Sequence, residues 1–230
     1  MTQKLATLTT KDNISIITLD DGKANVFSLA MIEDINKCLD QTPTDKGALI
    51  ITGREGILSG GFDLKIISSG DMKAIHKMTT NGFRLLSRIL SFPRPVIAAC
   101  NGHAIALGTF MLCCCDFRIG AKGDFMIGAN EMRTNMVIPI PILELIKFRV
   151  SQKHKYRAIL GAEMYSIETA VDAGLMDQAV EQEKLMEAAF HKAEDLATMG
   201  HPSYSLTKEL FINDVVTKIN NALDEIDTVI

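Results

Sequence analysis

Short apolar runs that end at turn residues alternate with segments of helical periodicity along the first two thirds of the chain. The isoleucine-rich runs at residues 15–20 and 47–52 predict buried strands. Between them, Ser28 is a residue type that favours the N-cap of a helix. The apolar positions that follow it at helical spacing are Met31, Ile32, Ile35, Cys38 and Leu39. This pattern predicts a helix that ends before Pro43 and packs one face on a sheet.

The same alternation continues beyond this helix. A longer helix is predicted over residues 71–91 because its apolar stripe stops before Pro93 and Pro95. Further predicted elements are a strand at 96–100, a helix at 106–115, strands at 117–119 and 125–127, and a helix from about residue 140. Strands that alternate with helices predict an α/β fold with parallel pairing.

From Ser166 onward the pattern is helical almost without interruption, and a break at residues 200–202 precedes a last amphipathic helix. We therefore predict an α/β core over residues 1–199 and a C-terminal helical region over residues 200–230, which is expected to serve oligomerisation.

Composition narrows the class of protein. Hydrophobic residues make up 47% and charged residues 23% of 230 residues, which is typical of a folded globular domain. The net charge of −4 and the lack of a basic block argue against a nucleic-acid partner. The N-terminal segment has no apolar signal-peptide core, and the apolar runs are too short to cross a bilayer. We expect a cytoplasmic protein with no membrane partner.

Five cysteines include three in succession, Cys113, Cys114 and Cys115. Adjacent side chains on a helix point in different directions, so this run does not converge on one ion as spaced pairs of cysteines do. We expect no metal, and we expect the cysteines to be small buried residues where elements pack closely.

Two glycine-containing turns are predicted to expose backbone N–H groups that could bind an oxygen atom of a ligand. In residues 58–64, LSGGFDL, a glycine pair leads toward a short helix, and Gly60 is the predicted first amide donor. In residues 101–108, NGHAIALG, a turn leads into a helix whose first N–H groups are free, so Leu107 or Gly108 is the predicted second donor. Such turns also occur for purely local reasons.

Four segments occur in the order typical of one family: residues 58–64, 95–106, 114–119 (CCDFRI) and 127–131 (IGANE). Together they resemble the crotonase, or enoyl-CoA hydratase/isomerase, superfamily. The resemblance implies a spiral of ββα units with a short C-terminal helical region, and a coenzyme A thioester as substrate, with no permanently bound cofactor. It also implies that the amides of Gly60 and Leu107 hold the thioester oxygen as it becomes an enolate.

Further site residues follow from the resemblance alone. The residues it places against coenzyme A or the acyl group are Lys23, Ala24, Phe62, Asp63, Leu64, Gly108 and Phe110. It also implies a homotrimer or a hexamer, although the C-terminal region looks short for the family.

The chain departs from the family's hydratases, which use two glutamates. Phe110 stands at the position of the first, so Glu131 alone remains to move a proton. A single carboxylate suits isomerisation, and the CCDFRI and IGANE segments are closer to the isomerase branch. The sequence therefore predicts isomerisation of 3-enoyl-CoA to 2-enoyl-CoA in fatty-acid metabolism, with Glu131 as the catalytic base.

Alternatives remain at this stage. The protein could be a hydratase, or a non-catalytic acyl-CoA-binding homologue in which Glu131 does not face the substrate. His103 and Asp63 have structural explanations, as a turn residue and a helix cap respectively. Asp116 and Arg118 are expected to form an ion pair or a cap, and Lys208 either contacts a coenzyme A phosphate or lies on a solvated helix face.

Overall fold

The computed structural model describes residues 4–228. The nine strands of this part of the chain are β1 (Ala6–Lys11), β2 (Ile14–Leu19), β3 (Ala48–Thr52), β4 (Gly56–Ser59), β5 (Val96–Cys100), β6 (Gly102–Ile105), β7 (Phe117–Ala121), β8 (Ile127–Gly128) and β9 (Gln178–Val180). Its α-helices are α1 (Leu29–Gln41), α2 (Leu64–Ile67), α3 (Met72–Leu90), α4 (Leu107–Cys114), α5 (Ile140–Arg149), α6 (Lys155–Ile159), α7 (Ile167–Ala173), α8 (Leu185–Ala197) and α9 (His201–Thr228).

The strands form two sheets. The larger has the order β1-β2-β3-β5-β7-β9, and the smaller has the order β4-β6-β8. Only β1 and β2 pair antiparallel among these strands; the other pairs are parallel. From β3 onward, successive strands alternate between the two sheets, so each turn of the chain adds one strand to each. The predicted α/β class and the spiral of ββα units are confirmed.

Several predicted elements agree closely with the structure. Ser28 caps α1 and accepts a hydrogen bond from the Met31 amide at 3.2 Å. The five apolar residues predicted for the buried face of this helix are all buried. Asp71 caps α3 through the amides of Lys73 and Ala74, and β5 has the predicted bounds. In these elements the local pattern and the tertiary packing favour the same structure.

Four strands were not predicted, namely β1, β4, β6 and β9. Most of β1 is polar and exposed, because it lies at the edge of the larger sheet. Gly102 was interpreted as part of a turn into a helix, but it begins β6, which is held between β4 and β8. The strand predicted at residues 125–127 begins only at Ile127. Short strands of this kind are defined by the strands that pair with them, and a local periodic pattern does not indicate those partners.

The C-terminal helix α9 packs along α3 and α5 of the same chain. Ser87 of α3 donates a hydrogen bond to Asn220 of α9 at 2.9 Å, and Lys218 lies 3.9 Å from the Glu144 carboxylate of α5. Between residues 4 and 228 there is no helix with the length and apolar character needed to cross a bilayer.

All five cysteines are buried free thiols, as predicted for small packing residues. Burial raises the pKa of the Cys100 and Cys115 thiols to about 12, so they stay protonated and unreactive near neutral pH. No group of histidine, cysteine or acidic side chains in the described part of the chain is arranged to hold a metal ion.

Candidate active site

A cavity of about 370 Å³ lies where the ends of the smaller sheet meet α3, α5 and the segment after β8. Its walls are mostly apolar. They are formed by Gly60, Phe62, Leu64, Ile67, Thr79, Phe83, Ile105, Ala106, Leu107, Phe110, Asn130, Glu131, Thr134, Met136, Val137, Ile138, Pro139, Ile142 and Ile226. Six residues predicted for the site, Gly60, Phe62, Leu64, Leu107, Phe110 and Glu131, therefore line one cavity.

Glu131 is the one acidic residue among those lining residues. It begins a short 3-10 helix directly after β8, and its side chain is only 9% exposed. Burial raises the pKa of the Glu131 carboxyl, and the residue's own backbone N–H partly opposes this shift. Its Oε2 atom is buried with no hydrogen-bond partner within residues 4–228. A carboxylate that is buried without a bonding partner is suited to accept a proton from a bound molecule.

The backbone around Glu131 is held firmly. The Glu131 carbonyl accepts hydrogen bonds from the Met136 amide at 2.9 Å and from the Thr134 hydroxyl at 3.0 Å. On the preceding strand, the Thr109 hydroxyl accepts from the Gly128 amide at 2.9 Å, which joins α4 to β8. These bonds fix the direction in which the carboxylate leaves the backbone.

The predicted amide donor Gly60 is engaged elsewhere. Its N–H donates to the Ala24 carbonyl at 2.8 Å, and the next amide, that of Gly61, donates to the Ser59 hydroxyl at 3.1 Å. An amide that already donates to a carbonyl is not free to hold a thioester oxygen. The donor role predicted for Gly60 therefore does not fit this geometry, although Gly60 does line the cavity.

Two other amides remain free at the cavity. The Phe62 N–H has no acceptor in the described part of the chain. Phe62 forms an isolated β-bridge with Phe27, but there the donor is the Phe27 N–H, which binds the Gly61 carbonyl at 2.8 Å. Leu107 is the first residue of α4, where helix geometry leaves the N–H without an intrahelical acceptor. Its amide likewise has no acceptor among the backbone and side-chain atoms described.

Two glycines allow the turn at residues 58–64 and the start of α4 to approach each other closely. A Cβ on Gly61, whose φ is 93°, would lie 2.9 Å from the Ala106 Cβ and 3.5 Å from the Leu107 nitrogen. A Cβ on Gly108 would lie 2.6 Å from the Ser59 carbonyl oxygen. Gly108 thus packs the first turn of α4 against β4, and it does not line the cavity where it was predicted to contact substrate.

The fold is shared with solved structures of the enoyl-CoA hydratase/isomerase family. A family model described as enoyl-CoA hydratase/isomerase matches residues 9–227. The chain belongs to the enoyl-CoA hydratase/isomerase family.

Solved structures and curated relatives of the family agree in fold but differ in the reaction named. An enoyl-CoA isomerase of Mycobacterium tuberculosis is 37% identical, with a TM-score of 0.92 over 98% of each chain. An enoyl-CoA hydratase of Mycobacterium ulcerans is 36% identical, with a TM-score of 0.93 over 97% of this chain and 98% of that one. The enoyl-CoA delta isomerase 3 of Arabidopsis thaliana is 28% identical over 84% of this chain and 85% of its own.

Four residues that the family resemblance placed near substrate lie outside the cavity wall. Lys23 is exposed, and its amide donates to Asp21 at 2.7 Å. Ala24 supplies the carbonyl that binds Gly60. Asp63 caps α2 by accepting from the Lys65 amide at 2.9 Å, and Gly108 packs on Ser59 as described above. All four support the two turns from outside the cavity.

Asn25 is a supporting residue that sequence interpretation missed. It is fully buried, and its side-chain amide donates to the carbonyls of Leu19, Ile57 and Leu58. Its own backbone has a φ of 49° and donates to Asp21 at 2.8 Å. Burial disfavours the Asp21 carboxylate, but three backbone N–H donors outweigh burial and lower its pKa. This turn holds the Ala24 carbonyl in place beneath Gly60.

The remaining polar candidates have structural roles. His103 accepts a hydrogen bond from the Met126 amide at 3.0 Å, in keeping with the structural role expected for it. Lys208 is neither solvated nor free for a phosphate, because it is buried and forms an ion pair with Asp116 at 2.7 Å. Arg118 pairs with Asp177 at 2.7 Å, so the expected pairing of Asp116 with Arg118 is wrong.

Proposed function

We propose that this protein isomerises 3-enoyl-CoA to 2-enoyl-CoA in fatty-acid metabolism, with Glu131 as the one proton carrier. The observation that carries the proposal is the composition of the cavity wall. One buried carboxylate, whose Oε2 atom has no hydrogen-bond partner in the described part of the chain, lines the same cavity as Phe62 and Leu107, whose backbone amides are free, and the rest of the wall is mostly apolar.

The amides of Phe62 and Leu107 are the proposed donors to the thioester oxygen. A proton next to a thioester carbonyl is too weakly acidic for a carboxylate to remove unless the developing enolate is stabilised. A fixed donor aimed at the oxygen where negative charge develops contributes about 10²- to 10³-fold in rate. Phe62 takes the place predicted for Gly60, because the Gly60 amide already binds Ala24.

Glu131 then completes the reaction by itself. Its carboxylate removes a proton from C2 of the 3-enoyl group, and the electron pair of that C–H bond moves to form the enolate. When the enolate collapses, its electron pair forms the double bond between C2 and C3, the C3–C4 double bond breaks, and the electron pair of that bond takes the proton back from Glu131 at C4. Proton and carboxylate are both restored at the end, so no water and no second acid are consumed.

Phe110 favours isomerisation over hydration. It is buried at 3% exposure, and its ring lines the cavity at the position where the family's hydratases carry a glutamate. A phenyl ring neither orients nor deprotonates water, and its bulk removes space that water would need. The chain therefore has one proton-transfer group where hydration of a double bond uses two.

The test is a pair of assays on purified protein. Incubation with 3-enoyl-CoA should produce the absorbance of the conjugated 2-enoyl thioester, whereas 2-enoyl-CoA should not take up water. Glu131→Gln should abolish isomerisation, because an amide cannot accept the proton. Glu168→Gln, a change at an exposed glutamate of α7, is the matched control and should retain full activity.

Two outcomes would contradict the proposal. Appreciable hydration of 2-enoyl-CoA by the unaltered protein would show that Phe110 does not exclude water. Binding of acyl-CoA without turnover of either substrate would indicate a non-catalytic homologue.

A further inference from the structure

The C-terminal helix contributes a residue to the cavity of its own chain. Ile226, in the last turns of α9, lines the same cavity as Glu131 and Leu107. The opposite end of α9 lies far from this site, beside Asp116 and Arg94, where Lys208 is buried. The helix thus runs from a buried ion pair at one end to the candidate active site at the other.

The spacing of apolar residues explains why Ile226 reaches the cavity. The buried apolar residues of α9 form one stripe with helical spacing; they are Ile212, Val215, Ile219 and the adjacent pair Ala222 and Leu223. Ile226 continues this stripe by one further step, so it projects from the same face of the helix. The first members of the stripe pack in the core, and the last is only half-buried because it borders a space.

Two other helices border the same space. Phe83 of α3 and Ile142 of α5 line the cavity together with Ile226, and α9 packs against both helices. The hydrogen bond from Ser87 to Asn220 holds α9 on α3, and the ion pair between Lys218 and Glu144 holds α9 on α5. The three aliphatic or aromatic side chains form an apolar wall, which we call the three-helix wall.

The polar groups of the cavity leave little for a polar acyl tail to bind. The Thr79 hydroxyl donates to the Ile75 carbonyl at 3.0 Å, and the Thr134 hydroxyl donates to the Glu131 carbonyl at 3.0 Å. Asn130 and Glu131 are the other polar lining residues, and Glu131 is the proposed base. The two threonine hydroxyls are therefore not free to donate to a charged or hydroxylated tail, which would lose part of its hydration without compensation.

We infer that Ile226 limits the length of the acyl tail and that the tail is an unsubstituted aliphatic chain ending on the three-helix wall. The inference rests on the proposed function for the identity of the bound group, an acyl-CoA. It does not depend on turnover, because the wall acts on binding. Each further methylene that the cavity can bury should tighten binding about fourfold, so a residue that ends the cavity should end that gain.

The experiment measures binding of saturated acyl-CoA thioesters, which cannot isomerise. Affinities of butyryl-, hexanoyl-, octanoyl-, decanoyl- and palmitoyl-CoA are determined by calorimetry for the unaltered protein and its variants. Ile226→Ala should extend the range over which affinity rises by two or more carbons. Ile226→Phe should end that range earlier and leave butyryl-CoA binding unchanged.

Ile212→Ala is the matched control. It removes the same side chain from the same stripe of α9, but roughly 21 Å along the helix axis from Ile226, and Ile212 does not line the cavity. It should lower the melting temperature without moving the chain-length profile. If Ile226→Ala does not fold, Ile226→Phe carries the test, because it adds volume at a half-buried position.

The inference is overturned if both Ile226 variants keep the original profile, or if Ile212→Ala shifts the profile as much as Ile226→Ala does. Its failure is distinct from failure of the proposed function. A profile that follows residue 226 in a protein without isomerase activity would support the wall and contradict the reaction. If the protein isomerises 3-enoyl-CoA but substitutions of Ile226 do not change the chain-length profile, the reaction is supported and the role of Ile226 is contradicted.

Discussion

Glu131 combines two properties that ordinarily oppose each other. As the proposed base, its carboxyl must be ionised to remove a proton, yet it is buried and its Oε2 atom has no hydrogen-bond partner in residues 4–228. Burial raises its pKa from the ordinary value of 4.5, and the residue's own backbone N–H opposes this shift only in part. A base with a raised pKa holds the abstracted proton more firmly, which helps the transfer as long as the base is still ionised at the working pH.

This predicts a specific pH dependence of stability. Because the folded protein holds the Glu131 proton more tightly than the unfolded chain does, it binds more protons between pH 4.5 and the raised pKa. The free energy of unfolding should therefore fall as pH rises through this window. Above the raised pKa, Glu131 should cause no further change in it. The Glu131→Gln variant has no carboxyl to ionise at this position and so does not lose this free energy. Its stability relative to the unaltered protein should therefore increase with pH. Urea denaturation at a series of pH values measures the difference.

The isomerase rate should follow the same titration in the opposite direction. It should rise with pH until Glu131 is ionised and then level off, because only the carboxylate removes the proton. Glu168→Gln, at an exposed glutamate of α7, serves as the control for the substitution itself and should retain the isomerase activity of the unaltered protein. A pH-independent difference for Glu131→Gln would mean that the carboxyl titrates normally and is not desolvated.

At the scale of single elements, the turn that leads into α4 is strained. Ala106 has a φ of 51° and a ψ of −120°, a combination that glycine adopts easily and alanine does not. Its amide donates to the Gly128 carbonyl at 2.9 Å, and its carbonyl accepts from Phe110 at 3.1 Å. The turn is therefore held on both sides, and it places the free amide of Leu107 at the cavity. Observed strain at such a position is consistent with a functional constraint.

Replacement of Ala106 by glycine tests this interpretation. Relief of the strained backbone should outweigh the added freedom of the unfolded chain and stabilise the protein by about 1 kcal/mol, a rise of about 2–4 °C in melting temperature. The isomerase rate should fall, because a more mobile turn fixes the Leu107 amide less well. Thermal denaturation and kcat provide the two measurements.

Asn135→Gly is a suitable control for the glycine substitution. Asn135 also has a positive φ, of 58°, but its ψ of 32° lies in the left-handed region that asparagine tolerates well. It should gain less stability than Ala106→Gly. A loss of stability in Ala106→Gly would show that the alanine is not strained.

At the scale of the whole molecule, α9 exposes several large apolar side chains, one of which, Phe211, also contacts the Phe148 ring of α5 at a centroid distance of 5.8 Å. Leu206, Leu210 and Phe211 are 60%, 80% and 72% exposed, although the opposite face of the helix is buried on the core. Neighbouring apolar side chains with this exposure are typical of a surface that packs against another chain. We expect the protein to self-associate through this part of α9, as a trimer or a hexamer.

Leu210→Glu should reduce the mass in solution, as measured by light scattering or sedimentation, because it places a charge in the centre of that surface. Met72→Glu is the control, since Met72 is similarly exposed at 72% but lies at the start of α3. The mass of this second variant should not change. An unchanged mass for Leu210→Glu would place the interface elsewhere or indicate a monomer.

The amino-acid sequence was sufficient to predict the α/β class, the glycine turn at residues 58–64 and several of the helices and strands. Periodicity predicted α1, α3 and β5 because their apolar faces repeat locally and agree with the sheet they cover. Glu131 and Phe110 were singled out by the family resemblance and not by periodicity, because the fate of a single glutamate or phenylalanine cannot be determined from residue type alone.

Tertiary structure decided which amides are free and where the cavity ends. Whether Gly60 or Phe62 offers an N–H depends on the Ala24 carbonyl, which comes from a distant turn held by Asn25. The partners of Asp116 and Arg118, and the arrival of Ile226 at the cavity, likewise depend on segments far apart in the chain. Hydrogen bonds and cavity walls are made between such segments, and their pairing is fixed only when the whole core packs.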